Sequence, residues 1–197
     1  VLVSPSLPVK NFAEFVKYAK ANPGKLNYAS SGNGSVAHLS MELLKAKLGL
    51  FITHIPYRGA GAALNDLLSG QVQLTWNNLT SNLTMIQNGK LRALAVASPM
   101  RAPQLPDVPT FDELKLPELN ITSWTGLAAP AKTPEPIVAQ LYDAMRTVLS
   151  APETQETWRK RGAMIPENVK PAEYRREIQQ RIQFYRDIAK ANKVVLD

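Results

Sequence analysis

The sequence contains no cysteine and only two histidines among its 197 residues. The absence of cysteine excludes disulfides, thiolate nucleophiles and cysteine-ligated metal sites, and it is compatible with an oxidising compartment. The two histidines do not form an H-E-x-x-H pattern or a similar motif, and no G-x-S-x-G nucleophile elbow occurs. We therefore expect no metal site and no hydrolase of these classes.

Long hydrophobic runs are also absent. The apolar run at 91–97 is far shorter than the ~20 residues that a membrane-spanning helix needs, and the chain does not open with a basic segment followed by an apolar one. If the protein is exported, we expect its signal to have been removed. Hydrophobic residues make up 45% of the sequence, which is enough to form the core of one large or two small domains.

Basic residues outnumber acidic ones by 23 to 16, which gives a formal net charge of +7. Such an excess can indicate nucleic-acid binding, because basic faces neutralise phosphates. Here the basic residues are densest at 159–193, where acidic residues alternate with them, and this pattern is typical of solvated helix surfaces. No known nucleic-acid-binding motif is present, so we expect no nucleic-acid partner.

Apolar β-like segments alternate with helical ones through the first half of the chain. Strands are predicted at 1–3, 26–29, 51–54, 72–76 and 91–97. Helices are predicted at 12–21 (capped by Asn11), 35–48, 60–68 and 80–87. Strict alternation of this kind predicts an α/β fold with a doubly wound, mostly parallel sheet. Ligands of such sheets bind at the carboxyl ends of the strands.

The second half of the chain differs in composition and in its predicted elements. Residues 98–119 are rich in proline and read as a linker or surface excursion, with one short helical piece near Phe111. A β-like stretch is predicted at 121–130, and three helices follow at 136–149, 152–161 and 171 to about 192. Proline near the first turn of the first two helices is typical of a helix start.

A polar, glycine-rich turn separates the second predicted strand from its helix. The free N–H groups at a helix N terminus and the positive end of the helix dipole favour an anion at such a turn. Glycine lets the backbone approach a ligand closely, and serine or asparagine side chains add donors. The candidate ligand-binding residues are Ser31, Gly32, Asn33, Gly34 and Ser35. The alternative is that Ser35 only caps the helix and the glycines only turn the chain.

Two further strand ends carry similar residues. Tyr57, Arg58 and Gly59 lie between the third strand and its helix, where the tyrosine and arginine could cover a ligand, although a loop arginine is often plain solvated surface. Asn77 and Asn78 follow the fourth strand and either donate amide N–H groups to a ligand or form an Asx-type turn with Thr80 as the helix cap. We include all five residues in the candidate site.

His38 lies in the first turns of the predicted helix 35–48, close to the glycine-rich turn. This position favours contact with a bound ligand, and we include His38 among the candidate ligand-binding residues. The alternative is a polar residue on the exposed flank of the helix that packs near Glu42.

A dinucleotide-binding enzyme is the main rival interpretation. The stretch GNGSVA at 32–37 fits the G-x-G-x-x-[G/A] pattern between a strand and a helix. The full fingerprint needs an acidic residue ~20 positions later to hold the ribose, and the chain has none there, although Arg58 could meet the 2′-phosphate of NADP. A structural or interaction fragment without a ligand is a third interpretation.

Three phrases together resemble one protein family over essentially the whole chain. They are the YASSGNGS turn followed by His-Leu, the IPYRG turn at 55–59, and LPDVPT at 105–110. The sequence resembles the substrate-binding receptors of tripartite tricarboxylate transporters, the Bug or TctC family. The resemblance implies a periplasmic binding protein of type II that binds without catalysis, cofactor or metal. It also implies two α/β lobes that close on a small carboxylate, and membrane components of a transporter as partners.

The resemblance places the candidate residues in the loops of the second lobe that face the cleft. Many family members have lysine where this chain has Arg58, and aspartate where it has Asn77, which removes one negative charge near the anion. The implied ligand is a di- or tricarboxylate, an aromatic acid or an amino acid, and these residues do not choose among them.

The resemblance also implies a domain division. Residues 1–118 would form the second lobe with a crossing strand at its start, and residues 119–197 would form the other crossing strand and the helical C-terminal part of the first lobe. Family members carry further sequence before the point that matches Val1, so we expect this chain to be a fragment that lacks most of the first lobe.

Overall fold

A five-stranded sheet organises the first half of the molecule. The computed structural model describes residues 1–163, 165 and 170–194. The strands are β1 (Leu2–Val3), β2 (Asn27–Ser30), β3 (Thr53–Pro56), β4 (Leu74–Thr75) and β5 (Arg92–Ala93). They lie in the order β3-β2-β4-β1-β5.

Four of the five strands run in the same direction. Strand β2 pairs in parallel with β3 and β4, whereas β1 is antiparallel to both of its neighbours, β4 and β5. The predicted mostly parallel sheet is confirmed, with β1 as the exception.

Seven α-helices surround or follow the sheet in the described residues. They are α1 (Phe12–Ala21), α2 (Val36–Leu48), α3 (Ala60–Ser69), α4 (Leu79–Gln87), α5 (Glu135–Ser150), α6 (Pro152–Lys160) and α7 (Pro171–Ala191). Each begins within one residue of its predicted start. The predicted cap of α1 is present, because the Asn11 side chain accepts a hydrogen bond from the Glu14 N–H at 2.9 Å.

The helices cover both faces of the sheet, as a doubly wound fold requires. Neighbouring residues of β2 point to opposite faces, so that Tyr28 packs in the core beneath α1, α2 and the end of α7, while Ala29 packs in a smaller core beneath α3. Both side chains are completely buried. The sheet therefore separates two hydrophobic cores and contributes side chains to both.

Two predictions for the middle of the chain were wrong. The helical piece near Phe111 is a series of turns, and the helical residues here are the 3-10 turn Pro117–Leu119. The stretch 121–130 forms no strand, because a β-like sequence becomes a strand only where a neighbouring strand supplies hydrogen bonds, and none is paired with it here. Strand β5 is also much shorter than predicted, because β1 offers only two residues for pairing.

The proline-rich segment is not a surface excursion throughout. Phe111 is completely buried; its ring stacks on that of Trp76 with centroids 5.2 Å apart and meets Phe12 edge-on at 5.8 Å. One aromatic side chain thus anchors the segment 98–119 to the main core.

The chain after residue 121 contributes little to either core. Helices α5 and α6 have no buried side chain, and on α7 only Ile188 and Ala189 are buried. Large apolar side chains are exposed here: Trp124, Leu127, Ile137, Leu141, Val148, Trp158, Ile182 and Phe184. Of the predicted unit 119–197, positions 164, 166–169 and 195–197 lie outside the described residues.

Replacing Phe111 should test the anchoring of the proline-rich segment. We expect Phe111→Ala to lower the free energy of unfolding by about 3–5 kcal/mol, because it removes a fully buried aromatic ring and leaves a cavity. Urea denaturation of both proteins measures the difference. The matched control is Phe51→Ala, since Phe51 is 68% exposed and its loss should change stability by no more than about 0.5 kcal/mol. Equal losses in the two variants would contradict the anchoring role.

Candidate anion-binding site

Three helices begin at the same edge of the sheet. Helices α2, α3 and α4 start within six residues after the ends of β2, β3 and β4, and these three strands are parallel neighbours. The N termini of the helices therefore lie side by side at the carboxyl ends of the strands. Helix N termini carry partial positive charge and N–H groups without partners inside the helix, so this edge is suited to an anion.

The three helix starts are capped differently. Ser35 caps α2, because its hydroxyl oxygen accepts the His38 N–H at 3.3 Å. Helix α3 begins after Gly59, which has a φ of 103° and gives no side-chain cap, and α4 begins after Asn78, whose side chain does not cap the helix either. The first turns of α3 and α4 thus keep N–H groups that a ligand could use.

The glycine-rich turn holds itself in shape through hydrogen bonds. Gly32 and Gly34 have φ angles of 136° and 71°, which other residues adopt only with strain. The Gly32 N–H donates to Ser30 Oγ at 3.2 Å, and the Gly34 N–H donates to His38 Nδ1 at 3.1 Å. These two N–H groups of the turn already have acceptors within the protein. The donors left for an anion are those of the first turn of α2 and the hydroxyls of Ser31 and Ser35.

His38 is an interior residue rather than one on an exposed flank. It is 7% exposed, and its ring stacks on that of His54 with centroids 3.8 Å apart and an interplanar angle of 17°. The Tyr28 ring stacks against that of His54 at 4.7 Å and lies 6.4 Å from that of His38. The exposed-flank interpretation was wrong because the helix turns this residue toward the sheet. Direct contact of His38 with a ligand stays a prediction.

The same stack is tied to a partly buried ion pair. The Tyr28 hydroxyl donates to Glu42 Oε1 at 2.6 Å, and Lys45 Nζ lies 2.6 Å from the same oxygen and 5.5 Å from the centre of the Tyr28 ring. Burial and the neighbouring Glu42 carboxylate raise the pKa of Tyr28. The tyrosine is therefore a permanent hydrogen-bond donor that joins β2 to α2.

The second loop is in contact with the first. A side-chain carbon at Gly32 would lie 3.7 Å from the carbonyl oxygen of Tyr57, and the Tyr57 N–H donates to the Ser30 carbonyl at 3.0 Å. The Tyr57 hydroxyl donates to Asp66 Oδ2 on α3 at 2.6 Å, and burial together with this hydrogen bond raises the pKa of Tyr57 to about 12. Arg58 is exposed. The structure thus brings the first two predicted loops together.

The third loop is linked to the segment that follows the sheet domain. Asn77 Oδ1 accepts the N–H of the next residue, Asn78, at 2.8 Å. The predicted Asx-type turn would need the N–H two residues on, so this contact does not form it. The Asn78 Oδ1 accepts from the Ser123 hydroxyl at 2.5 Å. The helix cap is Asn78 itself rather than Thr80. This leaves the Asn78 amide nitrogen as the side-chain donor that a ligand could still meet.

Sequence reasoning missed the partners supplied by distant segments. Ser123 lies 45 residues from Asn78, and Arg181 of α7 donates to the Thr122 carbonyl at 2.8 Å across 59 residues. His54 and Tyr28 were also overlooked as partners of His38. No local sequence pattern indicates such pairs. One signal was available for the histidines, because His38 in the first turn of α2 and His54 in the next strand are the only two in the sequence.

The cavities lie beside the helix starts rather than on them. A cavity of about 260 Å³ borders Val36, the first residue of α2, and is lined on its other sides by Trp124, Arg181 and Ile182. A second, of about 320 Å³, lies along the same stretch of α7, next to Asn120 and Phe184. The opening next to α2 is thus bounded by the segment after residue 120 and by α7.

Neither a metal nor a membrane span emerges from the described residues. Within this part of the chain, no group of three histidine, aspartate or glutamate side chains could hold a metal ion. Among its helices, none is long and apolar enough to cross a bilayer.

The sheet with helices on both faces, and the three helix starts at one edge, define a doubly wound α/β lobe. A profile of the tripartite tricarboxylate transporter family receptors, TctC, matches residues 1–195. The chain belongs to this family, as its sequence phrases indicated.

Three solved structures resemble the chain over nearly its full length. One described as a periplasmic transporter is 38% identical, with a TM-score of 0.92, and the match covers 100% of this chain and 65% of that one. Rpa4515 of R. palustris, solved with adipate, is 34% identical, with a TM-score of 0.91 and coverage of 99% and 65%. MatC (Rpa3494) of Rhodopseudomonas palustris, with bound malate, is 34% identical, with a TM-score of 0.86 and coverage of 95% and 64%. These matches confirm the predicted fold class.

The chain spans about half the length of the curated relatives it matches. The match covers 49% of one relative and 47% of another. What the longer proteins bind or assemble with is therefore a matter of proposal for this chain.

The stacked histidines predict a specific dependence of stability on pH. Burial and the neighbouring His38 lower the pKa of His54 to about 4, and burial lowers the pKa of His38 as well. The unfolded chain, in which histidine has a pKa of ~6.5, then binds protons that the folded chain excludes. The free energy of unfolding should therefore be highest above pH ~6.5 and decrease as the pH falls toward 4.

Urea denaturation at a series of pH values measures this dependence. The matched control is the double variant His38→Asn/His54→Gln, which has no histidine left. Its stability should be nearly independent of the pH between 6.5 and 5, apart from groups that titrate in both proteins. Equal slopes for the two proteins in this range would show that the histidines are not protected from protonation.

Proposed function

We propose that this chain is part of a periplasmic receptor that captures a small carboxylate for a tripartite tricarboxylate-type transporter. The observation that carries the proposal is the meeting of three helix N termini at one edge of a parallel sheet. Family membership supports it, as do the adipate and malate in two of the similar structures.

The ligand in this proposal is held by backbone and neutral side-chain donors. The carboxylate accepts from N–H groups in the first turns of α2 and α3 and from the hydroxyls of Ser31 and Ser35. The Asn77 and Asn78 amides and the exposed Arg58 add donors from the flanking loops. A site built from N–H groups and hydroxyls favours an anion over a neutral solute. It binds without chemistry and requires neither a cofactor nor a metal.

The domain division is part of the proposal. Residues 1–118 form one lobe, and residues 119–197 comprise a crossing segment and helices that belong to an opposing lobe. The absence of buried side chains on α5 and α6 supports this division, because large exposed apolar side chains such as Ile137 and Leu141 are normally buried against a partner. Closure of two lobes on the ligand would exclude water and signal occupancy to the membrane components.

Thermal unfolding with candidate ligands tests the proposal. Adipate, malate, citrate and an aromatic acid are each added at saturating concentration, with NADPH as the probe for a dinucleotide-binding enzyme. A ligand at ~100 times its Kd stabilises a protein by about 2.7 kcal/mol, which raises the Tm by several degrees. The same assay is run on a chimera that joins this chain to the remaining third of the adipate-binding neighbour. Stabilisation by NADPH alone, or by no carboxylate in either protein, would contradict the proposal.

A charge substitution tests where the carboxylate binds. Ser31 is exposed at the start of the glycine-rich turn, so Ser31→Asp should place a negative charge beside the bound anion. We expect this variant to weaken adipate binding at least about tenfold, since two like charges ~4 Å apart repel by roughly 1–4 kcal/mol.

The control for this test is Ser31→Asn, which has nearly the same shape as the aspartate without its charge. Its adipate affinity, measured by calorimetry in the better-binding of the two proteins, should stay within about threefold of the original, or under ~1 kcal/mol. If both variants bind equally well, the anion does not lie at this turn.

A further inference from the structure

The imidazoles of His38, which is buried, and of His54, which is half-buried, contact the glycine-rich turn through different ring nitrogens. His38 Nδ1 accepts the Gly34 N–H at 3.1 Å, whereas His54 Nε2 lies 2.7 Å from Ser30 Oγ. The Ser30 hydroxyl in turn donates to the Gly32 carbonyl at 3.0 Å and accepts the Gly32 N–H at 3.2 Å. Both glycines of the turn are thus connected to one stacked pair of rings.

We propose that His38 and His54 are positioning residues that set the conformation of the glycine-rich turn and thereby present the N terminus of α2 to the anion. Neither ring is required to touch the ligand. The effect on ligand affinity rests on the proposed function, whereas the effect on the turn does not.

The hydrogen-bond pattern defines the protonation of both rings. His38 Nδ1 can accept from Gly34 only without a proton, so the neutral ring carries its proton on Nε2. We assign the one proton of the Ser30 hydroxyl to the hydrogen bond with the Gly32 carbonyl, which makes the Ser30 oxygen the acceptor of the Nε2–H of His54. Both histidines are therefore neutral Nε2–H tautomers.

The surroundings of the pair favour this neutral state. Tyr28 on β2 faces the rings, and the charged groups near them are Glu42 and Lys45 of α2, which form an ion pair with each other. A proton on His38 would convert Nδ1 into a donor that faces the Gly34 N–H. With centroids 3.8 Å apart, the two rings also disfavour a second positive charge.

The two histidines contact the turn through different ring nitrogens, Nδ1 in His38 and Nε2 in His54. Substitution by asparagine and substitution by glutamine should therefore have opposite effects at the two positions. The asparagine amide oxygen reaches the place of Nδ1, and the glutamine amide nitrogen reaches the place of Nε2. His38→Asn should keep the Gly34 hydrogen bond and His38→Gln should lose it. At position 54 the order reverses, since His54→Gln keeps the contact with Ser30 and His54→Asn does not.

The experiment compares these four variants with the original protein, first without ligand. The amide proton shifts and hydrogen-exchange rates of Gly32 and Gly34 are measured by NMR, together with the Tm. We expect exchange within about threefold of the original in the two mimicking variants and at least about tenfold faster in the other two. Adipate affinity should follow the same order, with about tenfold weaker binding in the two non-mimicking variants.

A second measurement needs no variant. The ¹⁵N shifts of the imidazole nitrogens in the original protein should show both rings as neutral Nε2–H tautomers at pH 7. A proton on Nδ1 of His38 would overturn the proposal even if every variant failed to fold.

The remaining outcomes separate the two proposals. If asparagine and glutamine are equivalent at each position and only the Tm falls, the rings merely fill space and the positioning role is wrong. If the turn responds as expected but no protein binds a carboxylate, the positioning role of the turn stands and the proposed function fails. If the turn is released in the non-mimicking variants and adipate affinity is unchanged, the link from the turn to the ligand is overturned.

Discussion

The parallel pairing of β2 with β3 and β4 is the constraint on which the rest of the structure depends. Its register places Tyr28 opposite His54 on one side and opposite Leu74 on the other. Neighbouring residues in register share a face of the sheet, so the pairing alone brings the Tyr28 and His54 rings into contact. It also aligns the ends of three strands, and with them the starts of α2, α3 and α4.

Helix α2 completes a polar layer between this sheet and the glycine-rich turn. It contributes His38 to the ring stack and Glu42 to the Tyr28 hydroxyl, and each of these contacts crosses from helix to sheet. Buried polar groups are costly when unpaired and specify a single arrangement when paired. The layer therefore fixes the height and rotation of α2, and the turn above it has little freedom to move independently.

The second half of the chain is attached to this lobe at few points. Ser123 donates to Asn78, the Gln104 amide donates to the Arg159 carbonyl, and the end of α7 buries Ile188 and Ala189 against the main core. The first of these contacts joins the segment after residue 120 directly to a candidate ligand-binding loop. In the proposed receptor, movement of that segment would be transmitted to the start of α4.

The sequence by itself determined the local elements of the site and its chemical character. The periodicity and caps around Asn11 and Ser35 located α1 and α2 to within one residue, and the glycines at 32 and 34 marked a turn that only glycine forms without strain. These features depend on interactions between residues a few positions apart, and such interactions can be predicted from the sequence. The family phrases were visible for the same reason.

Only the tertiary structure decided which donors of the turn are already used and what holds them. The acceptors of the Gly32 and Gly34 N–H groups are Ser30 and His38, and the partner of Ser30 is His54, 24 residues away. The burial of Phe111 and the failure of 121–130 to form a strand were decided in the same way. Burial and strand pairing depend on what lies opposite a residue in space, and strand register, which sets that neighbour, is a property of the assembled sheet.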